Sequence, residues 1–131
     1  MPLTGLASRI CSLSRPGDAV LLEGPLGAGK TTFARAYLRA AAGDPALEVP
    51  SPTFTLVQTY ETAAGTVHHF DLWRLDGPAA LIELGWEDAR QDIVLVEWPD
   101  RLGPLRPADA LTITLTHDHE FQLAGWPDRL P

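Results

Sequence analysis

Gly24-Pro25-Leu26-Gly27-Ala28-Gly29-Lys30-Thr31 is the stretch that most constrains what this chain can fold into. It fits G-x-x-x-x-G-K-[ST] in full. Ala19-Val20-Leu21-Leu22 runs into it as a continuous apolar segment, which reads as a strand buried on both faces. Thr31 to Ala42 leaves it as a helix, with Phe33, Tyr37 and Ala40 on one face, Arg35 and Arg39 elsewhere, and Gly43 as the stop. A strand, a glycine turn and a helix in that order aim successive backbone N–H groups at an anion, which demands residues without bulky side chains. The helix adds the positive end of its dipole. The expected ligand is a nucleotide. Lys30 bridges its β- and γ-phosphates and the Thr31 hydroxyl ligates Mg²⁺.

Lys30 is the only lysine, the other nine basic residues are arginines, and asparagine is absent. A compact ammonium suits the loop where a broad guanidinium does not. A GC-rich genome and a heat-adapted host both give such a composition, and the sequence does not separate them.

At 131 residues, 45% hydrophobic and 21% charged, the chain reads as one globular domain, residues 1–131. No apolar run approaches the ~20 residues of a membrane helix, and the N-terminus has no basic start followed by an apolar core. Cys11, the lone cysteine, excludes a disulfide framework and a cysteine-based metal site. The expectation is a cytoplasmic protein. With a net charge of −7 and no basic patch, it is not expected to grip nucleic acid unaided; a partner would hold any nucleic acid involved.

Elsewhere, Leu6 to Leu13 predicts a short helix, and Thr55 to Tyr60 with Thr66 to Trp73 predicts a hairpin turning through residues 61–65. Pro78 opens a short helix through Leu84. Ile93 to Val96 is a second buried-type strand ending in Glu97-Trp98-Pro99. A proline-rich link leads to the alternating strand Leu111–Leu115, onto which Phe121 to Trp126 pairs back. The order describes an α/β domain of P-loop NTPase type, three-layered, whose sheet mixes parallel and antiparallel strands because a hairpin cannot join parallel neighbours.

A phosphate loop needs a second metal anchor, commonly an acid at the end of a hydrophobic strand. Glu97 supplies one, or marks where its strand meets solvent. Strand alternation in His68-His69-Phe70-Asp71-Leu72-Trp73-Arg74 puts His69, Asp71 and Trp73 on one face, with Phe70 and Leu72 on the other. Asp71 there either orients water or is hydrogen-bonded structure. His68 and His69 face opposite ways and lack metal-site geometry. His117-Asp118-His119-Glu120 reads as a polar turn before it reads as a metal site. In Ser51-Pro52-Thr53-Phe54, Pro52 fixes the backbone and leaves the Thr53 hydroxyl available to a γ-phosphate or a water.

Taken in order, GPLGAGKTTFAR, SPTFTLVQTY, HHFDLWRL and LVEWPDR closely resemble the bacterial tRNA threonylcarbamoyladenosine biosynthesis ATPase family TsaE, also called YjeE, over about Leu6 to Leu123. The resemblance implies a small P-loop ATPase with a mixed sheet, using ATP and Mg²⁺ and yielding ADP. Its partners would be TsaB and TsaD, which transfer threonylcarbamoyl to adenosine 37 of tRNAs reading ANN codons; tRNA is met only through that complex. ATP hydrolysis would support turnover rather than the transfer itself, slowly without the partners. The resemblance makes Leu26, Gly27, Ala28, Gly29, Lys30, Thr31 and Thr32 the phosphate binders, Lys30, Thr53, Asp71 and Glu97 catalytic, Thr31 and Glu97 the Mg²⁺ holders, and Asp71 the group that positions or activates water. Ser51, Pro52, Thr53, Trp73 and Trp98 become switch or partner contacts.

The sequence departs from the family pattern at Pro25, often Asp, and at Trp73, which replaces the Tyr of HxDxYR. It begins almost at the helix, and it has no arginine around Glu120. The last two departures bear on the nucleotide base and leave the phosphate and metal site untouched. Two other functions fit the loop itself: a small-molecule P-loop kinase and a non-catalytic subunit whose assembly ATP gates. A GTP switch is disfavoured, since its usual N-K-x-D motif needs an asparagine.

Overall fold

The computed structural model describes residues 3–118 and 120–130. β1 (Ala19–Glu23) lies inside the sheet because Ala19 to Leu22 are buried on both faces. β4 (Ile93–Glu97), just as apolar, flanks it on one side and β5 (Leu111–Leu115) on the other, both parallel to it. β3 (Gly65–Asp71) runs parallel to β4. Both edges are antiparallel: β2 (Val57–Thr62) on β3 and β6 (Phe121–Ala124) on β5. The sheet is therefore mixed, with six strands in the order β2-β3-β4-β1-β5-β6.

Alternation along β1 divides the core. Val20 and Leu22 pack with α1 (Leu3–Leu13) and α2 (Lys30–Ala42), while Ala19 and Leu21 pack with Phe70, Leu72, Leu81 and Trp86 on the opposite face. That second layer holds α3 (Pro78–Glu83), α4 (Trp86–Ala89) and the 3₁₀ segment Pro99–Leu105. Trp86 meets Phe70 edge-on, with ring centroids 5.2 Å apart. Burying either aromatic side chain is worth roughly 2–3 kcal/mol, so this contact anchors the short helices to the sheet.

Several details depart from the sequence reading: α1 begins at Leu3 rather than Leu6, and β6 ends at Ala124, short of Trp126. α2 buries Phe33, Ala34, Tyr37, Leu38 and Ala41; the stripe centres near Ala41, which leaves Ala40 exposed at its margin. β2 starts at Val57 because residues 52–56 close a turn, and the hairpin tightens to Ala63-Ala64 between the paired Thr62 and Gly65. β3 stops at Asp71, short of Trp73. α4, only four residues long, is too short to show a helical period in sequence.

Candidate nucleotide-binding site

The carboxyl ends of β1, β3 and β4 meet on one edge of the sheet, the usual ligand side of an open α/β sheet. β1 runs out at Gly24, where φ is +143° and a Cβ would sit 2.5 Å from the Leu115 carbonyl oxygen; only glycine fits there. The chain loops back, and Gly29, itself left-handed at φ +106°, starts α2. Ala28 points into the core beneath the loop, and its N–H donates to the Pro25 carbonyl at 3.1 Å.

Lys30 is therefore placed at the first position of α2 and is 5% exposed. Its ammonium donates to the carbonyls of Gly24 and Pro25 and lies 3.8 Å from the centroid of the Trp98 ring, a cation–π contact. Burial lowers its pKa, while Glu97, Asp71 and Asp100 act to raise it. Trp98 reaches this position by adopting a left-handed backbone, φ 58°, immediately after β4. Trp73 packs on it at 4.4 Å between centroids.

Glu97, last in β4, is buried, so the alternative that it marks a solvent-exposed strand end does not hold. Its Oε1 accepts a hydrogen bond from the Thr31 hydroxyl at 2.9 Å, joining the strand end to the first turn of α2. Its Oε2 accepts from His69 Nε2 at 2.7 Å. Asp71 is the register partner of Glu97 on β3. Burial pushes the Asp71 carboxyl above the ordinary carboxylate range; Glu97 adds to that, while the Trp73 N–H, His69 and the Thr53 hydroxyl oppose it. The Trp73 N–H donates to Asp71 Oδ1 at 3.2 Å, and Thr53 Oγ1 lies 3.5 Å from Oδ2.

The SPTF segment reaches Asp71 through its own turn. Leu56, left-handed at φ 68°, donates its N–H to the Pro52 carbonyl at 2.7 Å and accepts the Asp71 N–H at 2.9 Å. Pro52 is buried, and the Ser51 and Thr53 hydroxyls stand 3.0 Å apart.

These elements enclose a cleft of about 350 Å³. Leu26, Gly27, Gly29, Lys30, Thr31 and Thr32 line one side; Ser51, Thr53, Asp71, Trp73, Glu97 and Trp98 line the other. Of the residues that the sequence assigned to catalysis, nucleotide or metal binding, or switch and partner contact, only Ala28 and Pro52 do not line it. Two contacts had no sequence signal of their own: His69 to Glu97, and Lys30 to Trp98. The other histidine, His68, faces away and bonds Asp92 and Thr59, each at 2.9 Å. His119 lies outside the described residues, and among the described residues no group of three His, Cys, Asp or Glu side chains is arranged to hold a metal.

The family model described as "Threonylcarbamoyl adenosine biosynthesis protein TsaE" matches residues 2–123. The chain belongs to the TsaE family.

Its TsaE relatives bear tRNA threonylcarbamoyladenosine biosynthesis in their names. The Rickettsia felis protein is 39% identical over 111 residues, which is 84% of this chain and 64% of that protein. The Bacillus subtilis protein is 32% identical, covering 84% of this chain and 68% of its own length. The chain thus spans just under two thirds of the Rickettsia felis TsaE. Among solved structures, the crystal structure of Bacillus YdiB superposes with a TM-score of 0.73 at 26% identity, covering 97% of this chain and 81% of YdiB. The mixed-sheet α/β fold read from the sequence is the fold of this TsaE chain.

Proposed function

We propose that this TsaE-family protein is a Mg²⁺-dependent ATPase, converting ATP and water to ADP and phosphate. It supports turnover of the threonylcarbamoyl-transferase complex, formed by TsaB and TsaD homologues, that modifies adenosine in tRNA. The observation that carries the ATPase reading is the Thr31–Glu97 contact of 2.9 Å, which sets a buried carboxylate against the hydroxyl that ends the glycine loop. Asp71 stands beside it in register.

The donor set fits the metal. A hydroxyl and a carboxylate offer hard oxygens, and Mg²⁺ is usually held by one or two carboxylates together with waters and substrate phosphates. Thr31 and Glu97 would hold it, and when bound it would neutralise charge developing on the β- and γ-phosphate oxygens.

The protein's own groups do the rest. Lys30 exchanges the loop carbonyls for β- and γ-phosphate oxygens, keeping the Trp98 face beside it. The backbone from Leu26 to Thr32 cradles the phosphate chain. Asp71 orients the attacking water and takes its proton; its raised pKa brings it closer to the working range of a general base. The Thr53 hydroxyl steadies the same carboxylate and meets the γ-phosphate side of the cleft. Trp73, Trp98 and the SPTF turn with its exposed Phe54 form the face that engages the partners, and the exposed Leu26 lines the same cleft. Contact with tRNA runs through them.

The test is phosphate release from Mg-ATP by the isolated protein, read beside a melting curve. Nucleotide at a hundred times its Kd stabilises the fold by about 2.7 kcal/mol. Lys30→Ala removes that shift; Glu97→Gln and Asp71→Asn retain nucleotide binding and lose hydrolysis. ATP left intact without an acceptor, but consumed with a small hydroxylated one, would instead identify a kinase.

A further inference from the structure

His69 is fully buried; among the described residues its side chain makes one polar contact, from Nε2 to Glu97 Oε2 at 2.7 Å, and its buried Nδ1 has no partner. An apolar side chain of similar volume would fill the same space without stranding a nitrogen. The imidazole is thus retained at a cost to the core, and what it gains is a bond to one carboxylate oxygen.

The register explains how it reaches that oxygen. His69 pairs with Leu95 on the parallel neighbour, and Asp71 pairs with Glu97. His69 and Glu97 are therefore diagonal neighbours on the same sheet face, within reach of two long side chains. Because the carboxylate accepts, Nε2 carries the hydrogen. Glu97 then has each oxygen assigned, Oε2 to His69 and Oε1 to Thr31. With Oε2 tethered, the carboxylate cannot rotate, and Oε1 stays beside the Thr31 hydroxyl.

We infer that His69 is a positioning residue that orients Glu97 toward the cation held at Thr31. The inference rests on the reading of Glu97 as a metal carboxylate. It adds to that reading an outer partner of the kind that fixes metal ligands elsewhere.

The experiment measures ADP affinity by calorimetry, first in EDTA and then across a Mg²⁺ series, for wild type, His69→Met, His69→Gln, His69→Asn and Glu97→Gln. Melting curves establish which variants fold. In EDTA the folded His69 variants bind ADP within about twofold of wild type, because the glycine loop, Lys30 and Glu97 are intact. The Mg²⁺ concentration for half-maximal strengthening of ADP binding rises about 10- to 100-fold in His69→Met. In His69→Gln, whose amide can reach Glu97, it stays closer to wild type than in His69→Asn, whose amide is one methylene too short. A wild-type midpoint in His69→Met, with Glu97→Gln shifted, overturns the proposal and leaves the metal reading intact. If His69→Met does not fold, a wild-type midpoint in His69→Asn is the same refutation. A wild-type midpoint in Glu97→Gln overturns both the metal role of Glu97 and this inference.

Discussion

Asp71 and Glu97 are register partners at the ends of parallel β3 and β4, both buried, so two carboxylates stand side by side on one sheet face. Their surroundings separate them. Glu97 accepts hydrogen bonds on both oxygens from side chains, whereas Asp71 holds one backbone N–H and a long contact to Thr53. Like charges at this spacing hinder joint ionisation, which helps to raise the Asp71 pKa.

Asp71 therefore costs stability at neutral pH. Its folded pKa lies above the ordinary value of 3.8, so the folded form binds the proton more tightly than the unfolded chain does. Stability falls as pH rises through the interval between those two values, and the penalty is complete above it. Asp71→Asn is predicted to raise Tm at pH 7 and to match wild type below that interval. Phosphate release from Mg-ATP should fall on the order of 10²- to 10⁴-fold. Paired melting curves at acid and neutral pH, with one hydrolysis assay, check both halves.

Gly24→Ala is predicted to destabilise the fold by about 2 kcal/mol or more. The added Cβ meets the Leu115 carbonyl at 2.5 Å with the backbone at φ +143°. The main chain of β5 must move, and the glycine loop moves with it, so nucleotide affinity falls as well. Urea denaturation gives the first quantity and calorimetry the second.

How much of this could be read beforehand follows from what is local. The glycine loop, the apolar strands Ala19–Glu23 and Ile93–Glu97, and the acid ending the second of them carry their signal in consecutive residues. The His69–Glu97 bond does not, because it exists only once β3 lies parallel against β4. Strand order is a property of the whole sheet. Trp98 is similar: nothing local announces that a tryptophan will take φ 58° and lie over Lys30. The sequence starts this strand at Thr55, two residues before Val57, because nothing local announces the left-handed conformation of Leu56, held by bonds to Pro52 and Asp71. Each of these departures touches a residue that lines the cleft: Glu97, Lys30 and Asp71.

Phe54 is 81% exposed, with the Arg74 guanidinium 4.9 Å from its ring centroid, beside the cleft and outside its lining. A large aromatic side chain so placed is a candidate anchor for a partner. Phe54→Ala is predicted to leave the hydrolysis rate of the isolated protein within about twofold. Affinity for the TsaB–TsaD complex should weaken by about 30-fold, the effect of a ~2 kcal/mol anchor. Titration of the complex, read by the rate of tRNA modification, checks this.

The most direct measurement is multiple-turnover formation of threonylcarbamoyladenosine by TsaB and TsaD from the same source, with Mg-ATP and tRNA. It compares reactions without this protein, with it, and with its Lys30→Ala variant. Turnover beyond the first cycle is expected only with the unaltered protein. Sustained turnover without it, or equally with Lys30→Ala, would contradict the account.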